Sequence, residues 1–109
     1  MEINVKVNDA DIEDAIGAAL EYGSTYWCQY KSGNFKAVCH NVPDAKPLVI
    51  IDTEDGKEYE LSYARIKKGL KTMVQKSPKH FADLLSENAD CWTYDALLQH
   101  CCFGELVYG

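Results

Sequence analysis

No stretch of this sequence approaches the roughly 20 consecutive apolar residues that a membrane-crossing helix needs. No Cys-x-x-Cys pair marks a zinc or redox motif, and there are no internal repeats, low-complexity tracts or dividing linkers. A basic balance is missing too. Acidic residues number 17 against 11 basic ones, a formal net charge of −6, whereas a protein that grips nucleic acid regardless of sequence draws its affinity from neutralising phosphates. The first 20 residues include Glu2, Asp9, Asp11, Glu13 and Asp14, the reverse of an export signal's basic start and apolar middle. A cytoplasmic protein with no membrane contact is therefore expected. Five cysteines, an odd number clustered late in the chain, fit a reducing compartment and not a disulfide framework.

What is present suffices for one folded unit. With 109 residues, 47% hydrophobic and 11% aromatic, the chain fits a single domain over residues 1–109 that buries its own core. Such a composition is not that of a disordered segment.

Periodicity supplies the elements. Ile3, Val5 and Val7 alternate with Asn4 and Lys6, predicting a strand over 3–7. Asn8 or Asp9 caps a helix over 9–22, whose stripe is Ile12, Ala15, Ile16, Ala19 and Leu20 and whose stop is Gly23. An aromatic run predicts a strand over 24–31, a turn at Ser32-Gly33-Asn34, and a returning strand over 35–40. Leu48-Val49-Ile50-Ile51 is the clearest strand. Asp55-Gly56 turns it into a second one over 57–61. Ser62 caps a helix over 63–75, Pro78 opens a short helix over 79–85, and Thr93 caps a last helix over 94–103 that Gly104 stops. Residues 105–108 complete the pattern as an edge strand. Strands and helices mixed without regular βαβ alternation predict an α+β fold, a small antiparallel sheet packed by three to four helices.

Three sets of residues carry candidate chemistry. Asp11, Asp14 and Glu21 share one helical face, and Asp52, Glu54, Asp55, Glu58 and Glu60 crowd the hairpin. Most such carboxylates are simply solvated, but a row of them can also imitate DNA phosphates and occupy the basic groove of a nuclease. From Ser62 through His80 the order reverses: Arg65, Lys67, Lys68, Lys71, Lys76 and Lys79 stand with no acid among them, leaving 5 basic residues against 17 acidic ones elsewhere. That face is either solvated or a contact for nucleic acid or an acidic partner. Opposite charges sorted this way also suit a homodimer. Third are the sulfur and imidazole groups. Cys28, Cys39, His40, His80, Cys91, His100, Cys101 and Cys102 offer zinc ligands, with Cys39, Cys91, His100 and Cys101 the best set. In the last helix, however, Leu97, Leu98, Cys101 and Cys102 repeat as a core stripe, where cysteine behaves as a small hydrophobe. No third group orients a Cys–His nucleophile. Of the aromatics Tyr22, Tyr26, Trp27, Tyr30 and Phe35, at least half belong to the core, and the rest can serve a binding patch.

Two segments carry a resemblance. Ala18-Ala19-Leu20-Glu21-Tyr22-Gly23-Ser24-Thr25-Tyr26-Trp27-Cys28, together with Asp95-Ala96-Leu97-Leu98-Gln99-His100-Cys101-Cys102-Phe103-Gly104-Glu105-Leu106-Val107-Tyr108-Gly109, resembles a widespread group of small phage and prophage proteins. That group carries Ala-Leu-Glu-x-Gly-x-x-Tyr-Trp early and ends in Phe-Gly-Glu-Leu/Val-Val-Tyr-Gly. The present chain departs from it in a shorter region after Trp27. The resemblance brings no catalytic residues with it and implies a setting, a phage or mobile element. Small acidic proteins of that setting often disarm host defences, including CRISPR systems.

The expectation is therefore a non-enzymatic accessory protein without cofactor or metal. It would act by binding a host protein, a nucleic-acid-processing defence effector, through Asp11, Asp14, Glu21, Asp52, Glu54 and Asp55, with Arg65, Lys68 and Lys71 as a second contact set. Two other readings stand beside it: a nucleic-acid-binding module using the basic helix 63–76, and a zinc-binding structural protein.

Overall fold

Asn8 opens the first helix as the sequence predicts: its Oδ1 accepts from the Asp11 amide at 2.8 Å, satisfying one of the first turn's free N–H groups. The computed structural model describes residues 7–86 and 88–109, so the strand expected over 3–7 lies outside the described residues except for Val7. Helix α1, Asp9–Ala18, buries Ile12, Ala15 and Ile16 and then loosens into a π-helical turn, Ala19–Gly23. That turn closes with the Ser24 amide on the Ala19 carbonyl at 2.8 Å. A tight turn over 24–27 follows, so strand β1, Cys28–Ser32, is shorter than the aromatic run suggested.

The returning strand expected over 35–40 is instead a helix. Asn34 Oδ1 accepts from the amides of Lys36 and Ala37 at 3.1 and 3.2 Å and starts α2, Phe35–Cys39, which packs on α1. The strand that does pair with β1 is β2, Leu48–Asp52, and β3, Glu58–Leu61, pairs with β2 on its other side. Both pairings are antiparallel, with a bulge in β1 between Tyr30 and Ser32. Register places Leu48 opposite Leu61, Ile50 opposite Tyr59 and Cys28 opposite Asp52. Those positions face the helices, while Gln29, Lys31, Glu58 and Glu60 face water. This is the one-sided burial of an antiparallel sheet.

Helix α3, Tyr63–Lys76, starts at the Ser62 cap. Pro78 sits in the first turn of α4, Pro78–Leu85. The last helix, α5, Cys91–Phe103, begins three residues before the expected start. Asp90 is its cap and accepts from the Thr93 amide, while Thr93 Oγ1 returns the favour to the Asp90 amide. Gly104, at φ +73°, ends it in the left-handed conformation that glycine adopts without strain. Helix α5 is the hub of the fold, packed against α1, α3, α4, the π-helical turn and β3. It meets α3 tightly at Gly69, where a Cβ would lie 2.5 Å from Cys101 Sγ and 2.7 Å from its Cα. Among the described residues the molecule has five α-helices and a three-stranded antiparallel sheet around one apolar cluster, an α+β fold as the sequence pattern predicts.

Candidate functional site

Packed against five other elements, α5 carries Asp95, Gln99 and His100 into the interior, only 3%, 1% and 2% exposed. A buried polar group that finds no partner costs several kcal/mol, of order ~2 to 7. Asp95 finds four. Its Oδ1 accepts from Ser24 Oγ and Trp27 Nε1, both at 2.7 Å. Its Oδ2 accepts from the Tyr26 hydroxyl at 2.5 Å and from Gln99 Nε2 at 2.9 Å. Burial and this carboxylate together push the Tyr26 hydroxyl well above the ordinary tyrosine value, so Tyr26 remains a donor.

Gln99, one turn on, extends the network. Its Oε1 accepts from the amides of Val107 and Tyr108 at 2.8 and 2.9 Å, and its Nε2 also donates to the Tyr108 carbonyl at 3.0 Å. A side-chain amide thus takes the place of a neighbouring strand, which is why residues 105–108 are held without being the expected edge strand. Tyr108 stacks on Trp27 with ring centroids 5.5 Å apart, and Phe103 packs on Trp27 at 5.1 Å. The Tyr108 hydroxyl donates to Asp52 Oδ2 at 2.7 Å, and that bond raises its pKa to about 12. The two segments quoted for the resemblance therefore meet in space, and the residues they share are occupied in pinning the chain's last residues against α5. His100 points the other way, to Ser77 Oγ at 2.9 Å from its Nε2, and burial holds its pKa below the usual histidine value.

Two of the predicted contact residues are part of this scaffold and need correction. Asp52 is 1% exposed: its Oδ1 accepts from the Glu54 amide and its Oδ2 from Tyr108, so it offers nothing to a partner. Arg65 is turned inward. Its guanidinium donates to the carbonyls of Cys101, Cys102 and Glu60 at 3.1, 3.0 and 3.0 Å, satisfying the free end of α5 where a cation is favoured. Lys68 and Lys71 remain exposed, and Lys67 leans over the Tyr63 ring near Asp9. A nucleic-acid contact on α3 therefore loses its only arginine. Glu54 and Asp55 stay exposed on the β2–β3 turn.

The best zinc set does not assemble. Among the described residues no three of His, Cys, Asp or Glu stand where one ion could join them. Cys91 is exposed at the start of α5, while Cys28, Cys39, Cys101 and Cys102 are buried. Burial pushes the thiols of Cys28, Cys39 and Cys101 up to about 12 and raises that of Cys102 as well, which keeps them protonated and poorly nucleophilic. A chromogenic disulfide reagent is accordingly expected to label one cysteine promptly in the native protein, Cys91, and the other four only in denaturant. Two or more fast-reacting thiols would refute that burial pattern.

What stays open is the face of α1 together with the π-helical turn that continues it. Asp11, Asp14 and Glu21 are exposed and, among the described residues, make no salt bridge, while Glu13 beside them binds His40 Nε2 at 2.9 Å. Hollows lie beside these carboxylates, two of mixed lining and one mainly apolar. Asp11 and Asp14 line one of about 190 Å³ with Leu84 and Tyr94. Asp14 and Glu21 line a second, of about 360 Å³, with Phe35. Glu21 continues into a third, of about 600 Å³, with Leu20, Tyr30 and Phe35. Of the five candidate aromatics, Trp27 is fully buried and Phe35 partly so, whereas Tyr22, Tyr26 and Tyr30 are about half exposed at 55%, 48% and 51%. Two of the three hollows were not legible in the sequence, because they depend on α2 being a helix that sets Phe35 against Gly17.

Fold and site together define a small α+β domain with a buried polar network devoted to scaffold and an acidic, pitted helix face left open. The chain matches no protein-family model, no curated protein and no solved structure.

Proposed function

We propose that this protein acts by binding a basic protein surface through the face of α1 bearing Asp11, Asp14 and Glu21, and that its partner is a nucleic-acid-processing effector of bacterial defence, as the phage-type resemblance implies. The observation that carries this reading is the row of exposed carboxylates bordering three surface hollows. The apolar lining at Leu20, Tyr30 and Phe35 supplies contact area, while the charges steer and align a cationic partner. A groove built to hold nucleic acid is cationic, and a row of carboxylates complements it. Binding without catalysis accords with the chemistry of the interior, where the buried thiols are held protonated and Asp95 and Asp52 are engaged by fixed donors.

The test has two arms. Tagged protein is incubated with bacterial lysate and the captured proteins are identified, and CRISPR interference against a targeted plasmid is measured in cells that produce it. Recovery of a defence or nucleic-acid enzyme with reduced interference is the expected result. Capture of no such enzyme, together with full interference, removes the proposal.

A further inference from the structure

Two irregularities of the backbone meet at one place. The π-helical turn Ala19–Gly23 interrupts α1, and the bulge between Tyr30 and Ser32 interrupts β1. Both kinds of defect re-aim side chains and are over-represented at functional sites. Here they supply Leu20, Glu21 and Tyr30 to the same hollow, of about 600 Å³. Its floor is open because residue 17 is glycine, with the Phe35 ring 3.3 Å from where a Cβ would be. The Tyr30 ring is held by a hydrogen bond from its hydroxyl to the Gly33 carbonyl, and Phe35 is set by the Asn34 cap of α2.

The walls are apolar, with Glu21 and Lys36 at the rim and further carboxylates in the neighbouring hollow. Glu13, Asp14 and Glu21 border this hollow and the one continuous with it, against a single cation, Lys36. An occupant that satisfies both must have an apolar, flat body and a positive charge. A phosphate is repelled by three carboxylates, and a purely apolar group leaves Glu21 desolvated without a partner. A guanidinium meets both demands, since it is weakly hydrated, stacks on aromatic rings and pairs with a carboxylate through two parallel N–H donors.

We propose that this hollow receives an arginine side chain of the protein partner, stacked between Tyr30 and Phe35 and paired with Glu21. The proposal rests on the reading of α1 as the contact face and names the group that face recognises.

The probe is a short blocked peptide, acetyl-Gly-Arg-Gly-amide, titrated into the full chain at low salt and followed by amide and side-chain NMR shifts. Its control is the same peptide with citrulline, which keeps the shape of arginine and removes the charge. Shifts are expected at Gly17, Glu21, Tyr30, Asn34 and Phe35. Loss of a charge-assisted pair predicts binding about tenfold weaker or less for citrulline, and a similar loss for the surface variant Glu21→Gln. Gly17→Leu, which fills the hollow and improves helix propensity, should abolish the shifts. Equal binding of both peptides, shifts spread over Glu54, Asp55 and Glu58 instead, or no shifts at millimolar peptide would each overturn the proposal. Because the probe needs no partner, its failure is separable from failure of the capture experiment: capture that persists while the peptide fails condemns the arginine pocket alone.

Discussion

Replacing Asp95 by alanine should destabilise the protein by about 3 to 5 kcal/mol, the range seen when one member of a buried charged network is removed. The reason lies with the donors left behind. Ser24 and Trp27 are wholly buried and Gln99 is 1% exposed, so their groups aimed at Asp95 cannot turn to water, and each orphaned donor costs about 1 to 3 kcal/mol. Tyr26 is 48% exposed and can re-solvate, so Tyr26→Phe should cost only about 1 kcal/mol. Asp95→Asn keeps one acceptor but turns an NH₂ group towards two donors and should fall between these. Domains of this size are stable by about 5 to 15 kcal/mol in all, so Asp95→Ala should bring the fold close to its limit. Urea unfolding followed by tryptophan fluorescence measures the loss. An alanine variant within 1 kcal/mol of wild type, by order of magnitude the worth of one ordinary hydrogen bond, would show that the cluster does not hold the two segments together.

The second large effect runs against a propensity rule. Glycine in a helix interior is worse than alanine by about 1 kcal/mol, so Gly69→Ala in α3 would be expected to stabilise. Here the new Cβ would stand 2.5 Å from Cys101 Sγ, 2.7 Å from its Cα and 2.8 Å from its N. The backbone of α5 cannot swing aside as a side chain can, so the helices must part, and overpacking of this kind costs about 1 to 3 kcal/mol. Adding Cys101→Ala should recover only part of the loss, because Cα and N remain in the way. Gly17→Ala is the matched contrast. Its Cβ meets only the edge of the Phe35 ring, at 3.3 and 3.5 Å, and that ring borders an open hollow into which it can move. Thermal melts should therefore show a lowered Tm for Gly69→Ala and an unchanged or raised one for Gly17→Ala. The same sign for both would mean that the α3–α5 contact is looser than it stands here.

Much of the fold was legible because local chemistry agreed with it. The Asn8 and Ser62 caps, the Asp55-Gly56 turn, the Pro78 start and the Gly104 stop each lie where their side chain or φ preference put them. Residues 35–39 misled because Phe, Val and Cys favour strands, and a helix of five residues has little propensity to sum. The Asn34 cap and packing on α1 decided it. The site was less readable. Asp52 and Arg65 look like exposed charges in an alternating hairpin and a basic helix. What engages them is a hydroxyl 56 residues away for Asp52 and carbonyls 36 and 37 residues away for Arg65. Asp95 did leave a trace. An Asp and a Gln four apart, on a helix that buries Ala96, Leu97, Leu98, Cys101 and Cys102, share a face that must be satisfied from elsewhere in the chain.

The contact surface can be tested by exchanging charge on one face at a time. A variant carrying Asp11→Lys, Asp14→Lys and Glu21→Lys should melt as the wild type does and fail to retain the protein that the wild type captures. One carrying Lys68→Glu and Lys71→Glu should retain it undiminished. Retention by the first and loss by the second would place the contact on α3 and contradict the acidic face of α1 as the working surface.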